Sequence, residues 1–410
     1  MTFSELGLPP KLVARLAEQG LTAPTPIQRG AIPHALAGRD VLGLAQTGTG
    51  KTAAFGLPIV HGLAADRRRP APRTASALIL APTRELAAQI VEALTAFSGG
   101  RGGLSIALVV GGKSIGPQIK RLERGTDVLV ATPGRLIDLI ERRAVDLGET
   151  GFLVLDEADQ MLDLGFIHAL RRIAPLLPLE RQTMMFSATM PKQMAELARA
   201  YLRNPARVEV APPGRAADKV EQSVHFVAAP EKQALLIDLL DAHRDERALV
   251  FARTKRGAER LMERLVKAGF AAASIHGNKS QGQRDRALAG FRDGAVRVLV
   301  ATDVAARGID IPGVEYVYNY ELPSVPENYV HRIGRTARNG AAGRAVAFCD
   351  EGEAGELRSI EKVLGASVPV AGGTPWRGAE PKGDQRGAKP ARARTRGRRP
   401  GRPSGRRKAA

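Results

Sequence analysis

Along this chain, short runs in which nearly every residue is apolar alternate with longer stretches whose apolar residues return every three to four positions. The runs at 41–45, 77–81, 128–131, 152–155 and 183–186 are too short for helices and too continuous for half-exposed strands, so they predict strands buried on both faces. The intervening periodic segments, among them 85–97 and 192–201, predict helices. Residues 211–218 (APPGRAAD) have two prolines, a glycine and no apolar period, which marks a linker. A second series then begins, with strands expected at 248–251, 273–276, 296–301 and 316–319 and helices at 231–243, 255–268 and 281–293. Strand and helix alternating in this way predicts α/β architecture with a parallel sheet in each of two domains, 1–210 and 219–370, joined by the linker 211–218.

Composition adds limits to that picture. The 410 residues are 44% apolar, enough for two cores. No run approaches the roughly 18 apolar residues of a membrane span. The opening MTFSELGLPP has neither the basic start nor the apolar core of a secretory leader, so a cytoplasmic location and no membrane are expected. Cys349, the single cysteine, lies in the apolar run AVAFC and reads as a buried thiol; a lone cysteine forms no internal disulfide. The formal charge is +19, and residues 371–410 hold thirteen Lys/Arg against Glu380 and Asp384, so this segment accounts for +11 and the rest of the chain for +8. Rich in Gly, Pro and Arg, and with Trp376 as its one aromatic, the segment 371–410 is expected to be a disordered basic tail. A polyanionic partner fits the charge.

Candidate chemistry begins after the run 41–45. Gln46-Thr47-Gly48-Thr49-Gly50-Lys51-Thr52, followed by a helical pattern, has the form of a phosphate-binding loop between strand and helix, although the general pattern wants glycine where Ala45 stands. Glycines let the backbone curl so that N–H groups face phosphates. Lys51 reaches the outer phosphates and Thr52 ligates magnesium. The run 152–155 delivers Asp156-Glu157-Ala158-Asp159 at its carboxyl end, where open α/β sheets gather their ligands. Asp156 is suited to hold the magnesium, and Glu157 to orient or deprotonate the attacking water.

These motifs and their order, from Phe3 to about Leu364, resemble the DEAD-box helicases of superfamily 2. The resemblance implies two tandem RecA-like domains and an ATP-dependent RNA helicase. Thr25-Pro26-Ile27-Gln28, with Phe3 upstream, looks like the Q motif, in which Gln28 reads the adenine edge and Phe3 stacks on the ring. Arg84 within Pro82–Leu86, the pair Gly111 and Gly112, and Thr132 and Arg135 look like the first domain's RNA contacts. Arg253, Gln281, Arg284 and Thr302 look like those of the second. Asp310 is implied to lie near the ribose. Ser187-Ala188-Thr189 resembles the motif that couples hydrolysis to strand separation, by hydrogen bonds linking Asp159 to the second domain; His331 is grouped with this coupling set.

His331–Arg338 (HRIGRTAR) resembles the motif that brings two arginines, Arg335 and Arg338, across the cleft to the γ-phosphate. Such an arginine is worth 10³–10⁵ in rate, about 4–7 kcal/mol. Ala337 stands where the family often has glycine, a variant that, with the basic tail, points toward the bacterial RhlE branch. The implied cofactors are ATP and Mg²⁺. The implied partner is RNA, single strand and short duplex with little sequence specificity, handled by a monomer that could serve ribosome or RNA-decay assemblies. The same motifs also fit an ATP-gated RNA clamp, and less well a DNA translocase.

Overall fold

The computed structural model describes residues 1–46, 48–65, 69–100, 103–210, 220–306, 313–337 and 343–376. Seven strands form the first sheet: β1 Val41–Leu44, β2 Ala75–Leu80, β3 Ile106–Val109, β4 Thr126–Ala131, β5 Phe152–Leu155, β6 Gln182–Ser187 and β7 Ala206–Glu209. Seven more form the second: β8 Val220–Phe226, β9 Ala248–Phe251, β10 Ala272–Ile275, β11 Val298–Ala301, β12 Tyr316–Asn319, β13 Gly343–Cys349 and β14 Val370–Gly372. Their orders are β3-β4-β2-β5-β6-β1-β7 and β10-β11-β9-β12-β13-β8-β14, so adding seven to each strand of the first sheet reproduces the second. All the pairings are parallel.

The continuous apolar runs follow from helices on both faces. In β4, Val128 and Val130 enter one core while Leu129 and Ala131 enter the other. In β11, Leu299 and Ala301 face one core of the second domain and Val298 and Val300 its counterpart. Period-two alternation is therefore present, but both sets are apolar and the pattern reads as unbroken.

The structure departs from the sequence reading at the beginning of the expected tail. Residues 370–372 form β14, which pairs with β8 through Val370 and Val224. Trp376, the one aromatic of that expected tail, packs on the second-domain core and donates its indole N–H to the Cys349 carbonyl at 2.9 Å. Backbone pairing and a half-buried indole offset the entropy of ordering that the tail's composition suggested would go uncompensated. The expected linker 211–218 and residues 377–410 lie outside the described residues. Among the described residues, no helix is long and apolar enough to cross a membrane.

Candidate active site

Six strands of the first sheet, β1 to β6, end at one rim and there deliver the candidate chemistry. Past β1, Gly48 and Gly50 take φ of +85° and +91°, the left-handed region that glycine enters without steric cost. The loop then turns into the helix Lys51–Ala65. The Thr49 hydroxyl donates to the Gln46 carbonyl at 2.7 Å and holds the curl closed. Lys51 is only 6% exposed, and its ammonium nitrogen has no hydrogen-bond partner, a costly arrangement unless an anion completes it. Thr47 is outside the described residues.

Beyond β5, the backbone N–H of Asp156 donates to the Leu80 carbonyl at 3.0 Å, which locks the turn to β2. Burial pushes the Asp156 carboxyl up to about 7; Lys51 pulls it down, and Glu157 raises it further. Glu157 is buried with φ 49° and ψ 52°, left-handed backbone that a residue with a Cβ adopts at a cost of roughly 1–2 kcal/mol. Such strain gathers where a side chain must be aimed. A hard divalent ion fits this donor set: Thr52 supplies a hydroxyl, Asp156 a buried carboxylate, and the unpartnered Lys51 ammonium marks the adjoining place for phosphate oxygens.

Gln28 was expected to read adenine. In the structure its side-chain oxygen accepts the Thr25 N–H at 2.9 Å, and its NH₂ group donates to the Gly50 carbonyl at 3.0 Å. It ties the start of helix Pro26–Leu36 to the phosphate loop and keeps one further lone pair and one further hydrogen for another partner. Phe3 is 2% exposed within the first-domain core, so the structure gives its ring a packing role.

The coupling motif is confined to one domain. Asp159 Oδ2 accepts from the Ala188 N–H at 3.1 Å, the Thr189 N–H at 3.0 Å and the Thr189 hydroxyl at 3.1 Å, while the Ser187 hydroxyl donates to the Thr189 carbonyl at 2.7 Å. All four bonds stay inside the first domain, which corrects the expectation that they link Asp159 to the second. Contact between domains arises next door. Gln46, Ala188 and Thr189 line a cleft of about 490 Å³ together with His331, Gly334 and Arg335 of the second domain.

Arg335 reaches that cleft from the end of helix Pro326–Ile333, its Nε–H donating to the His331 carbonyl at 3.2 Å. Sequence reasoning passed over Arg332, whose role is structural. Buried at 2% exposure, it makes two bonds to Asp303 at 2.5 and 2.8 Å, donates to Asn319 Oδ1 at 3.0 Å and to the Glu321 carbonyl at 2.7 Å, and lies 4.9 Å over the Phe251 ring. It pins the helix to the ends of β9, β11 and β12, and so fixes where Arg335 emerges. Arg338 and Asp310 lie outside the described residues.

A second groove, of about 960 Å³, gathers the expected RNA contacts. Arg84, Gly111, Thr132 and Arg135 line it from the first domain and Arg284 from the second. Burial lowers the Arg84 guanidinium; Glu85 opposes this, and Arg284 and Arg135 lower it further. Three guanidinium groups crowded at one groove favour an anion between them. Gly112, at φ +74°, leaves room for Arg84, since a Cβ there would meet its Nη1 at 1.8 Å.

The groove's two walls are joined by side chains. Arg84 donates to Gln281 Oε1 at 3.0 Å, Gln281 Nε2 donates to Glu85 at 3.2 Å, and Arg284 pairs with Glu85 at 3.0 Å. Glu85 therefore joins the two walls, a contact that the sequence reading did not single out. Two expected contacts stand apart. Thr302 is buried just past β11, and Arg253 is tied to Glu353 at 2.9 Å and to the Leu322 carbonyl at 3.0 Å.

The DEAD/DEAH box helicase model matches residues 25–197, and the helicase conserved C-terminal domain matches residues 231–340. The chain is 44% identical over 360 residues to the ATP-dependent RNA helicase CshA of Listeria monocytogenes, covering 88% of this chain and 68% of that protein. It belongs to the DEAD-box family of ATP-dependent RNA helicases. Among solved structures, S. cerevisiae Dbp5 bound to RNA and ADP BeF3 aligns with a TM-score of 0.80 at 32% identity, over 90% of this helicase and 95% of that chain. A DEAD box protein from Methanococcus jannaschii is more similar in sequence, 36% identical over 90% and 99% of the two chains, yet its TM-score is 0.52. The alignment with the RNA-bound protein spans both sheets of this helicase.

Proposed function

We propose that the two domains of this helicase close over ATP and a single RNA strand, and that closure assembles the ATPase site from Lys51 and Glu157 on one side and Arg335 and Arg338 on the other. The observation that carries this is the shared cleft, where Gln46 and Thr189 of one domain face Arg335 and His331 of the other. The phosphate loop, Gln46 to Thr52, holds the triphosphate, Lys51 bonds its outer oxygens, and Gln28 uses its remaining hydrogen-bonding capacity on the adenine edge. Phe3 supports that edge from the core, and Asp310 takes the ribose. Glu157 aligns a water for attack on the γ-phosphorus and accepts its proton as the bond to the leaving ADP oxygen breaks. Thr52 and Asp156 would hold Mg²⁺, which when bound neutralises charge on the phosphate oxygens. Arg335 and Arg338 stabilise the charge that develops during transfer, and because they arrive only with closure, hydrolysis waits for RNA.

On the strand side, Arg84, Gly111, Gly112, Thr132 and Arg135 with Gln281 and Arg284 grip the sugar-phosphate backbone, and Thr302 and Arg253 act behind them, Arg253 through Glu353. Backbone contacts carry little sequence information, and contacts to 2′-hydroxyls select RNA. Bending one strand expels its partner. With stacking near 1.4 kcal/mol per step, a closure releasing several kcal/mol opens only a few base pairs, so short duplexes are the substrates. Asp159, Ser187 and Thr189 transmit the state of the phosphate site to His331 and Arg335 across the cleft. We assign the helicase to the cytoplasm on its single buried cysteine, as a monomer that remodels RNA in assemblies such as ribosomes or the RNA-decay machinery. ATP turnover measured with and without RNA tests the reading. RNA should stimulate the wild type strongly, and Lys51→Ala and Arg335→Ala should both fall close to background; RNA-stimulated turnover in Arg335→Ala would overturn it.

A further inference from the structure

The opposite rim of the first sheet also carries a groove, and nothing in the ATP or RNA cleft uses it. It opens where β3 and β4 begin, between helices Pro10–Glu18 and Ile115–Leu122, and holds about 2090 Å³ against about 960 Å³ for the strand groove. Lys11, Arg15, Arg69, Lys120, Arg121 and Arg124 line it, against Glu123 and Asp127, six cations to two anions. Two of the cations have structural work. Arg15 donates to the Phe97 carbonyl at 3.2 Å, where helix Arg84–Ser98 ends, and Arg121 donates to the Ser105 hydroxyl at 2.7 Å. Of the two carboxylates, Asp127 is occupied by the Ser105 N–H at 2.6 Å.

The other four cations are different. Lys11, Arg69, Lys120 and Arg124 are exposed, and among the described residues no hydrogen bond or ion pair involves their side chains. A basic residue in a helix's last turn is ordinary, and that accounts for Lys120. It does not account for cations brought to the same groove from helix Pro10–Glu18, from the segment before β2 and from the turn before β4. Four unpartnered like charges around one concavity raise its potential and favour a polyanion.

We propose that this groove is a second RNA-binding surface, which holds the phosphate backbone of RNA lying outside the catalytic cleft. No aromatic side chain lines it, so it offers no platform for bases and contacts the backbone alone. All of it belongs to the first domain. Its affinity is therefore indifferent to domain closure, and RNA remains attached through the open half of the ATPase cycle, when the cleft has released its strand. The proposal goes beyond the cleft reading, which concerns a single short strand.

The test compares full-length wild type with a Lys11→Ala/Lys120→Ala/Arg124→Ala variant, the basic tail being present in both. Binding is measured with a non-hydrolysable ATP analogue, which keeps the cleft closed on its strand, across a salt series, to an RNA of about 10 nucleotides that fills the cleft and to one of roughly 40. The variant should bind the longer RNA at least ~10-fold more weakly at low salt, with a log–log salt slope shallower by about 2 for three lost phosphate contacts. RNA-stimulated ATP turnover on the short strand and the thermal midpoint should match wild type, which separates this proposal from the cleft mechanism. An unchanged slope on the longer RNA overturns the second surface. So does equal weakening on both RNAs, which would assign these residues to the cleft or to folding. Loss of poly-glutamate binding with RNA binding intact would assign the groove to an acidic protein segment and overturn it as well.

Discussion

The ion pair between Glu85 and Arg284 exists only while the domains are together, so its removal should affect closure. The two side chains meet at 3.0 Å and are 6% and 15% exposed. Water screens such a pair little, and a charge-assisted hydrogen bond of this kind contributes about 1.5–3 kcal/mol. Taking about 2 kcal/mol, Glu85→Ala lowers the closed-to-open ratio roughly 30-fold, and kcat/KM for RNA-stimulated ATP hydrolysis should fall by that order. Binding of RNA without nucleotide should not weaken, because Glu85 is an anion beside three guanidinium groups and its loss makes the groove more attractive to phosphate. Arg284→Ala should impair both quantities, since it takes away a cation as well as the pair. A double-mutant cycle on stimulated turnover isolates the interdomain term, which should be about 1.5–2 kcal/mol. If the two substitutions add to within about 0.5 kcal/mol, the pair does not hold the closed state and the reasoning fails.

Gly112→Ala places a methyl where Arg84 Nη1 stands, 1.8 Å away, at φ +74°, so Arg84 must leave Gln281. The KM for RNA should rise ~10-fold while ATP binding without RNA is retained, and an unaltered KM would refute the crowding argument. Ala337 holds φ +53° at a position where the family often has glycine. Ala337→Gly should stabilise by about 0.5–1 kcal/mol, relief of strain exceeding the added freedom of the unfolded chain, and a lowered thermal midpoint would contradict this. Burial would raise the Glu259 carboxyl, but hydrogen bonds from Lys279, Ser274 and His276 hold it at about 2, below the ordinary 4.5. A depressed carboxylate stabilises the fold above its unfolded value and loses that contribution as pH falls toward the folded one. The advantage of wild type over Glu259→Gln in urea denaturation should therefore be full at pH 6 and shrink between about pH 4.5 and 2; a constant difference would count against the network.

What the sequence made legible was whatever leaves a strong local signature. The strands buried on both faces stood out because both of their alternating sets are apolar. The edge strand β7, with Arg207 and Glu209 turned toward water, left a weak pattern, and β8 (VEQSVHF) mixes polar residues into its run. The phosphate loop and Asp156-Glu157 were legible because glycine spacing and adjacent carboxylates at a strand end are tied to one chemistry. Contacts between distant segments were not. Glu85 sits beside the expected Arg84, but its partner lies 199 positions away, as the numbers of the Glu85–Arg284 pair show. Arg332 looked like one more basic residue in a basic motif until its pairing with Asp303 and burial set it apart. The boundary at Ala371 failed because a charged, glycine-rich composition hides the one indole that finds a seat on the second domain.

Trp376 is also the only tryptophan of the chain, and it rests on the second half of the molecule. Excited at the red edge of protein absorbance, this helicase shines from one domain and is dark in the other. A chaotrope titration followed by that emission reports when the C-terminal half loosens, whereas circular dichroism averages over both sheets. Divergence of the two curves would reveal that the halves, alike in strand order, do not melt together.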